Sequence, residues 1–218
     1  MNASELSALL QRALPILAES RDELRELDAA IGDGDLGITV AGGAKAIGAA
    51  LAAGAVDGEV SAVLRVSAQK FASANPSTMS ALVAAGLLAA ARTLSTGQEL
   101  GRAEIRTAVT AAATMIQQRG GAELGDKTVL DALLPSVDAL WEAGDDDRQA
   151  LRAMIDAART AVADTRGLRS QRGRAAWVGE RSIGHPDGGA VAYLRLLEAI
   201  DLAWTPAVAG TTPSPESE

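Results

Sequence analysis

Apolar side chains recur three and four positions apart through Leu6, Leu9, Leu10 and Ala13, and again through Leu24, Leu27 and Ile31. That is the spacing of one helical face. The first helix is expected to break or kink near Pro15, because proline removes an intrahelical donor. Ser20 followed by Glu23 has the form of a capping box, so a new helix should open there and carry Asp28 into its last turn. Gly32, Gly34 and Gly37 then mark a loop, and helical spacing resumes over Ile38–Ala53. Pattern and Gly/Pro punctuation predict further helices at Gly58–Phe71, Ser77–Leu94, Arg102–Gln118, Lys127–Glu142, Arg148–Asp164 and Ala190–Ala203. The reading is all-α, with a single domain over residues 1–204 and a disordered tail, rich in Pro, Thr, Ser and Glu, over residues 205–218. Amphipathic helices joined by short connections pack as a bundle or barrel, with chemistry on the loops at one end.

Composition supports this class. Of 218 residues, 48% are apolar, mostly Ala, Leu and Val, while Phe and Tyr occur once each, which favours helix over sheet. The net charge of −8 argues against direct nucleic-acid binding. The absence of cysteine excludes disulfides, thiolate metal sites and cysteine nucleophiles. The first residues do not have the pattern of a secretion signal, and no apolar run reaches membrane-spanning length, so a cytoplasmic protein is expected.

The chemistry concentrates in Leu27-Asp-Ala-Ala-Ile-Gly-Asp-Gly-Asp-Leu-Gly37, where Asp28, Asp33 and Asp35 crowd together with no Lys or Arg among them. Such a cluster calls for cations. Hard divalent ions take oxygen ligands, and Mg²⁺ is usually held by a few carboxylates together with substrate phosphates. A calcium loop of the EF-hand type is excluded. Counted from Asp33, its oxygen, Gly and Glu positions are taken by Gly37, Ile38 and Ala44. The N–H groups around Leu36, Gly37 and Thr39, opening the next helix, suit phosphate oxygens.

Gly120-Gly-Ala-Glu-Leu-Gly-Asp-Lys-Thr128 is not a P-loop, since Asp126 separates glycine from Lys127 and a helix precedes it. Asp126 is expected to cap the following helix. Ser77, after Asn75-Pro76, is either an N-cap or a phosphate contact. Arg166, Arg169, Arg172, Arg174 and Arg181 punctuate residues 166–189, as a surface loop or as cations for an anionic nucleotide. The sole histidine, His185, is either a general base or, the preferred reading, a residue orienting a loop that caps the last helix.

Together the acid-rich segment, Gly125-Asp-Lys-Thr-Val-Leu-Asp-Ala-Leu-Leu-Pro135 and Gly173-Arg-Ala-Ala-Trp-Val-Gly-Glu-Arg-Ser-Ile-Gly-His-Pro-Asp187 resemble the dihydroxyacetone kinase L subunit family. The resemblance spans about residues 5–200 and implies an antiparallel barrel of eight helices that binds ADP or ATP with two Mg²⁺ ions at one end. It assigns Asp28, Asp33 and Asp35 to the metals. It assigns Leu36, Gly37, Ile38, Thr39, Pro76, Ser77, Gly120, Val129, Arg174, Asp187, Gly188 and Gly189 to the nucleotide. It also implies a kinase transferring a phosphoryl group to dihydroxyacetone or a related short ketose such as erythrulose, held by a separate K subunit. The donor is either free Mg-ATP or a bound nucleotide recharged by a phosphotransferase-system protein. The alternative is a nucleotide-sensing protein that binds a transcriptional regulator without catalysis. This chain departs from the family pattern at Leu36, where histidine is common, at Asn75-Pro76-Ser77-Thr78, which replaces a glycine-rich turn, and at Gly188, a usual proline position.

Overall fold

The computed structural model describes residues 1–56 and 58–204; the predicted tail lies outside them. Among the described residues there are ten α-helices, two short 3₁₀ turns and no strand. The helices are α1 (Ala3–Glu19), α2 (Arg21–Ile31), α3 (Leu36–Ala52), α4 (Val60–Ala74), α5 (Thr78–Arg92), α6 (Arg102–Gly120), α7 (Val129–Glu142), α8 (Asp147–Asp164), α9 (Gly173–Trp177) and α10 (Gly188–Ala203).

Polar caps decide where several of them start. Asn2 and Glu5 form a reciprocal box at α1, Ser77 accepts from the Ser80 N–H at α5, and Asp146 accepts from Arg148 and Gln149 at α8. Three local expectations are corrected. Helix α1 runs unbroken through Pro15 to Glu19, because buried Ala13, Leu14 and Leu17 hold that turn in the core. Ser20 makes no side-chain cap, since its backbone (φ −72°, ψ 4°) stays near helical rather than extended, and Glu23 pairs instead with the guanidinium of Arg195, whose Nε donates to it at 2.7 Å. A forked pair with a guanidinium outcompetes a bond to one backbone N–H. Helix α7 begins at Val129, and its cap is Thr128 with Asp131, while Asp126 accepts instead from the Glu123 N–H and from Arg172.

Packing closes the helices into a ring. Each of α1, α3, α4, α5, α6, α7, α8 and α10 lies against the next, α10 returns to α1, and α2 extends α1 while packing on α3 and α10. This is the eight-stave barrel. Alanine lets the staves approach closely: Ala132, Ala150, Ala158 and Ala190 are almost wholly buried among α7, α8 and α10. Leu24, Val63 and Leu130 have no exposed surface, and each such side chain contributes roughly 1.5–3 kcal/mol.

Because consecutive staves run antiparallel, connections alternate between two ends. At one end the Leu100 N–H donates to the Met1 carbonyl at 2.8 Å, and Arg102 pairs with Asp147 at 2.9 Å. The other end gathers residues 32–35, 75–77, 121–128 and 165–187; the last bonds to 121–128 and to 32–35, and 75–77 bonds to Thr39 in the first turn of α3. There the carboxylates collect.

Candidate functional site

Helix α2 delivers Asp28 in its last turn, and the loop at residues 32–35 delivers Asp33 and Asp35. One carboxylate oxygen from each lies within 4.8 Å of the others. Two glycines make this possible. A Cβ on Gly32 would collide with the Asp28 carboxylate, and Gly34 takes φ +77°, a left-handed turn that side chains resist. The Asp28 carboxylate accepts from the Leu36 N–H at 3.2 Å, which fixes it against α3. Gly37 lets α3 seat on α2, since a Cβ there would overlap the Arg21 carbonyl.

The donor set fits a hard divalent cation. Oxygens around one Mg²⁺ at about 2.1 Å stand up to roughly 4.2 Å apart, so a spread of 4.8 Å needs little adjustment. The neutralising charge missing from the local sequence comes from far along the chain. Arg174 of α9 pairs with Asp33 and lies 3.4 Å from Asp35. Its hydrogen bond to Asp33 raises the guanidinium above its ordinary range.

The other residues assigned from sequence lie at the same end of the barrel. Leu36, Gly37 and Thr39 are buried in the first turn of α3, and Ile38 is exposed there. The N–H groups of Gly37 and Ile38 have no intrahelical acceptor, as at any helix start. Asn75 donates to the Thr39 hydroxyl at 2.6 Å, which ties the Pro76-Ser77 turn to α3. Ser77 proves to be an N-cap, with its hydroxyl accepting from Ser80 at 3.1 Å. Val129 opens α7 beside Gly189, where a Cβ on Gly189 would be 3.6 Å from that of Val129. A Cβ on Gly188 would meet Leu36 Cδ2 at 2.5 Å. Gly120 ends α6 toward Leu82 of α5, without a direct bond to the acids.

Asp187 caps α10 by accepting from the Ala190 N–H at 2.7 Å, so the cap expected of the loop around His185 belongs to Asp187. His185 is exposed, and its ring makes no hydrogen bond among the described residues. Burial, opposed by that backbone bond, pushes the Asp187 carboxyl up to about 6.

The sequence reading missed Asp131 and left Lys127, inside the matching motif, with only a supporting role. Asp131 accepts from the Gly125 N–H at 2.6 Å and the Thr128 N–H at 2.7 Å, which holds the 121–128 loop. Its signal was present as Thr128-Val-Leu-Asp131, the form of a capping box. Lys127 is almost completely buried, and burial pushes its ammonium down from the ordinary lysine range. Its partners are carbonyls some forty or more residues away, which no local pattern reveals.

A DAK2 domain model matches residues 30–201. The chain is 35% identical over 202 residues to the L-erythrulose 1-kinase of Mycolicibacterium smegmatis, covering 91% of this chain and 35% of that protein. It is 29% identical over 203 residues to the ADP-binding subunit DhaL of PEP-dependent dihydroxyacetone kinase 2 of Listeria innocua, covering 92% of this chain and 94% of the relative. Thus it spans about a third of one relative's length and nearly all of the other's. The dihydroxyacetone kinase of C. freundii, solved with AMP-PNP and Mg²⁺, has the same fold, with a TM-score of 0.74, 22% identity and coverage of 91% of this chain and 33% of that one. No helix among the described residues is long and apolar enough to cross a membrane.

Proposed function

Because this chain belongs to the DAK2 domain family, we propose that it is the nucleotide-binding part of a kinase that phosphorylates a short ketose. Dihydroxyacetone and erythrulose are the acceptors that the relatives' names point to. The observation that carries this reading is the convergence of Asp28, Asp33 and Asp35 on one point, faced by Arg174.

These three aspartates would hold the paired Mg²⁺ ions. Mg²⁺ held there would supply charge neutralisation for phosphate oxygens in γ-phosphoryl transfer. The chain's own residues position the nucleotide. Arg174 offers planar N–H donors to phosphate oxygens, and the free N–H groups of Gly37 and Ile38 face the same end. The Asn75–Thr39 bond keeps Pro76 and Ser77 beside them. Val129, Asp187, Gly188 and Gly189 form the adjoining wall, with Gly120 behind the α5–α6 side. The ketose itself would be held by a separate K subunit or domain. The phosphoryl donor is either exchanging Mg-ATP or a retained nucleotide recharged by a phosphotransferase-system protein, consistent with a PEP-dependent relative.

The test combines the protein with a K-type subunit, Mg²⁺ and dihydroxyacetone or erythrulose. One arm adds ATP, and the other adds ADP with phosphoenolpyruvate and the phosphotransferase proteins. Ketose phosphate formation that requires this chain is the expected result. Tight Mg-nucleotide binding without turnover in every arm would replace the kinase reading with the nucleotide-sensing one.

A further inference from the structure

Lys127 is the only non-glycine residue with positive φ among those described, at +63°, and it is also the largest fully buried side chain. Its ammonium has three N–H donors, and all are used. They go to the carbonyls of Arg166 at 3.1 Å, Leu168 at 2.8 Å and Ser182 at 2.7 Å. No carboxylate forms a salt bridge with it among the described residues. A buried charge whose hydrogen bonds all go to backbone carbonyls, with the Asp187 carboxylate near enough to favour it, is costly to place unless every donor is satisfied, as it is here.

The positions of those carbonyls matter most. Two belong to the outgoing limb of the excursion between α8 and α10, and the third belongs to the returning limb. Lys127 therefore clips the base of a loop whose tip is α9. Shorter seams run beside the clip. The Gly184 N–H donates to the Arg166 carbonyl at 2.9 Å, the Ser170 N–H to the Ser182 hydroxyl at 3.0 Å, and the Gln171 N–H to the Asp126 carbonyl at 3.0 Å. Above the clip, Arg174 reaches Asp33 and Asp35.

We propose that Lys127 is a positioning residue for the phosphate site, its ammonium closing the base of the 166–182 excursion so that Arg174 is presented to the acid cluster. The effect on nucleotide rests on the function proposed above, whereas the closing of the loop does not. The left-handed backbone is part of the device, because it turns the side chain inward from a loop that otherwise follows the surface.

Lys127→Gly tests it, since glycine keeps the positive-φ turn and removes the side chain with its ammonium, and Lys127→Arg, which restores a buried cation, is the rescue. In the folded Lys127→Gly protein, trypsin should cleave after Arg169, Arg172, Arg174 and Arg181 at least about tenfold faster than in the parent. Mg-ADP affinity should fall by about tenfold. Lys127→Arg should recover part of both. If Lys127 acts through Arg174, the Lys127→Gly/Arg174→Ala double variant should bind Mg-ADP no more weakly than Arg174→Ala alone.

Parent-like cleavage and affinity in Lys127→Gly would overturn the proposal, and so would fully additive losses in the double variant. Should Lys127→Gly fail to fold, hydrogen exchange on the parent protein decides: amides of Ser170, Gln171 and Gly184 should exchange as slowly as those of α7. Exchange at free-loop rates would overturn the clip. A parent that binds no Mg-ADP would refute the functional reading while leaving the cleavage and exchange results to judge the clip.

Discussion

Residues 32–35 and residues 121–128 are two loops at the same end of the barrel, built from the same residue types, and they spend their aspartates in opposite ways. At the second loop the aspartates are already engaged, Asp126 within the loop and Asp131 from the first turn of α7. Asp126 accepts from the Glu123 N–H at 2.9 Å and from Arg172 at 2.7 Å, and Asp131 accepts from Gly125 and Thr128. In the first loop Asp33 and Asp35 accept no backbone N–H among the described residues, and only Arg174 answers them. Acids whose lone pairs are filled by backbone donors build the loop, while acids turned toward one another leave coordination capacity for a cation. The chemistry lies in what is left unspent.

Removing the unspent acids gives the largest expected effect. Asp33→Ala combined with Asp35→Ala should weaken Mg-ADP binding by about two orders of magnitude, ~2.7 kcal/mol, in a calorimetric titration. The melting temperature should hold or rise, because like charges no longer face each other. Retained tight binding would sink the cation assignment. Asp131→Ala should behave the other way, costing about 2 kcal/mol of stability by stranding two backbone donors. Its melting temperature should drop by roughly 4–8 °C in a circular dichroism melt, and an unchanged value would contradict the architectural role.

A third test uses pH. Asp187 is raised to about 6 in the folded protein, above its ordinary value of 3.8, so folding favours its neutral form. That stabilisation is complete below the unfolded value and is lost as pH rises through about 6. Asp187→Asn keeps an oxygen for the Ala190 N–H. Melts at pH 4.5 and pH 7 should show a smaller loss toward neutrality in the variant than in the parent, and equal slopes would remove Asp187 from the account. The smallest effect belongs to Arg172→Ala, whose exposed pairing with Asp126 is worth at most about 1 kcal/mol. A loss well beyond that would mean the 121–128 loop depends on the surface pair more than on Asp131.

The helices and the acid cluster were legible because their signals are local: apolar spacing along one face, glycines between aspartates, and a connection at nearly every predicted break. What sequence reading missed follows one rule. Glu23 leaves its expected capping box for Arg195, the acids find Arg174, and Lys127 finds the carbonyls of Arg166, Leu168 and Ser182. In each case a charged group found a distant partner that the ring closure brings near. Pro15 was misread for a related reason, since burial of its neighbours outweighs one missing hydrogen bond.

The contact between Leu36 and Gly188 has a consequence for tolerance of change. The barrel places one against the other, with Leu36 Cδ2 2.5 Å from where a Cβ at 188 would stand. Any side chain introduced at 188 would have to move or shrink the residue at 36, so the two positions are expected to tolerate exchange only as a pair.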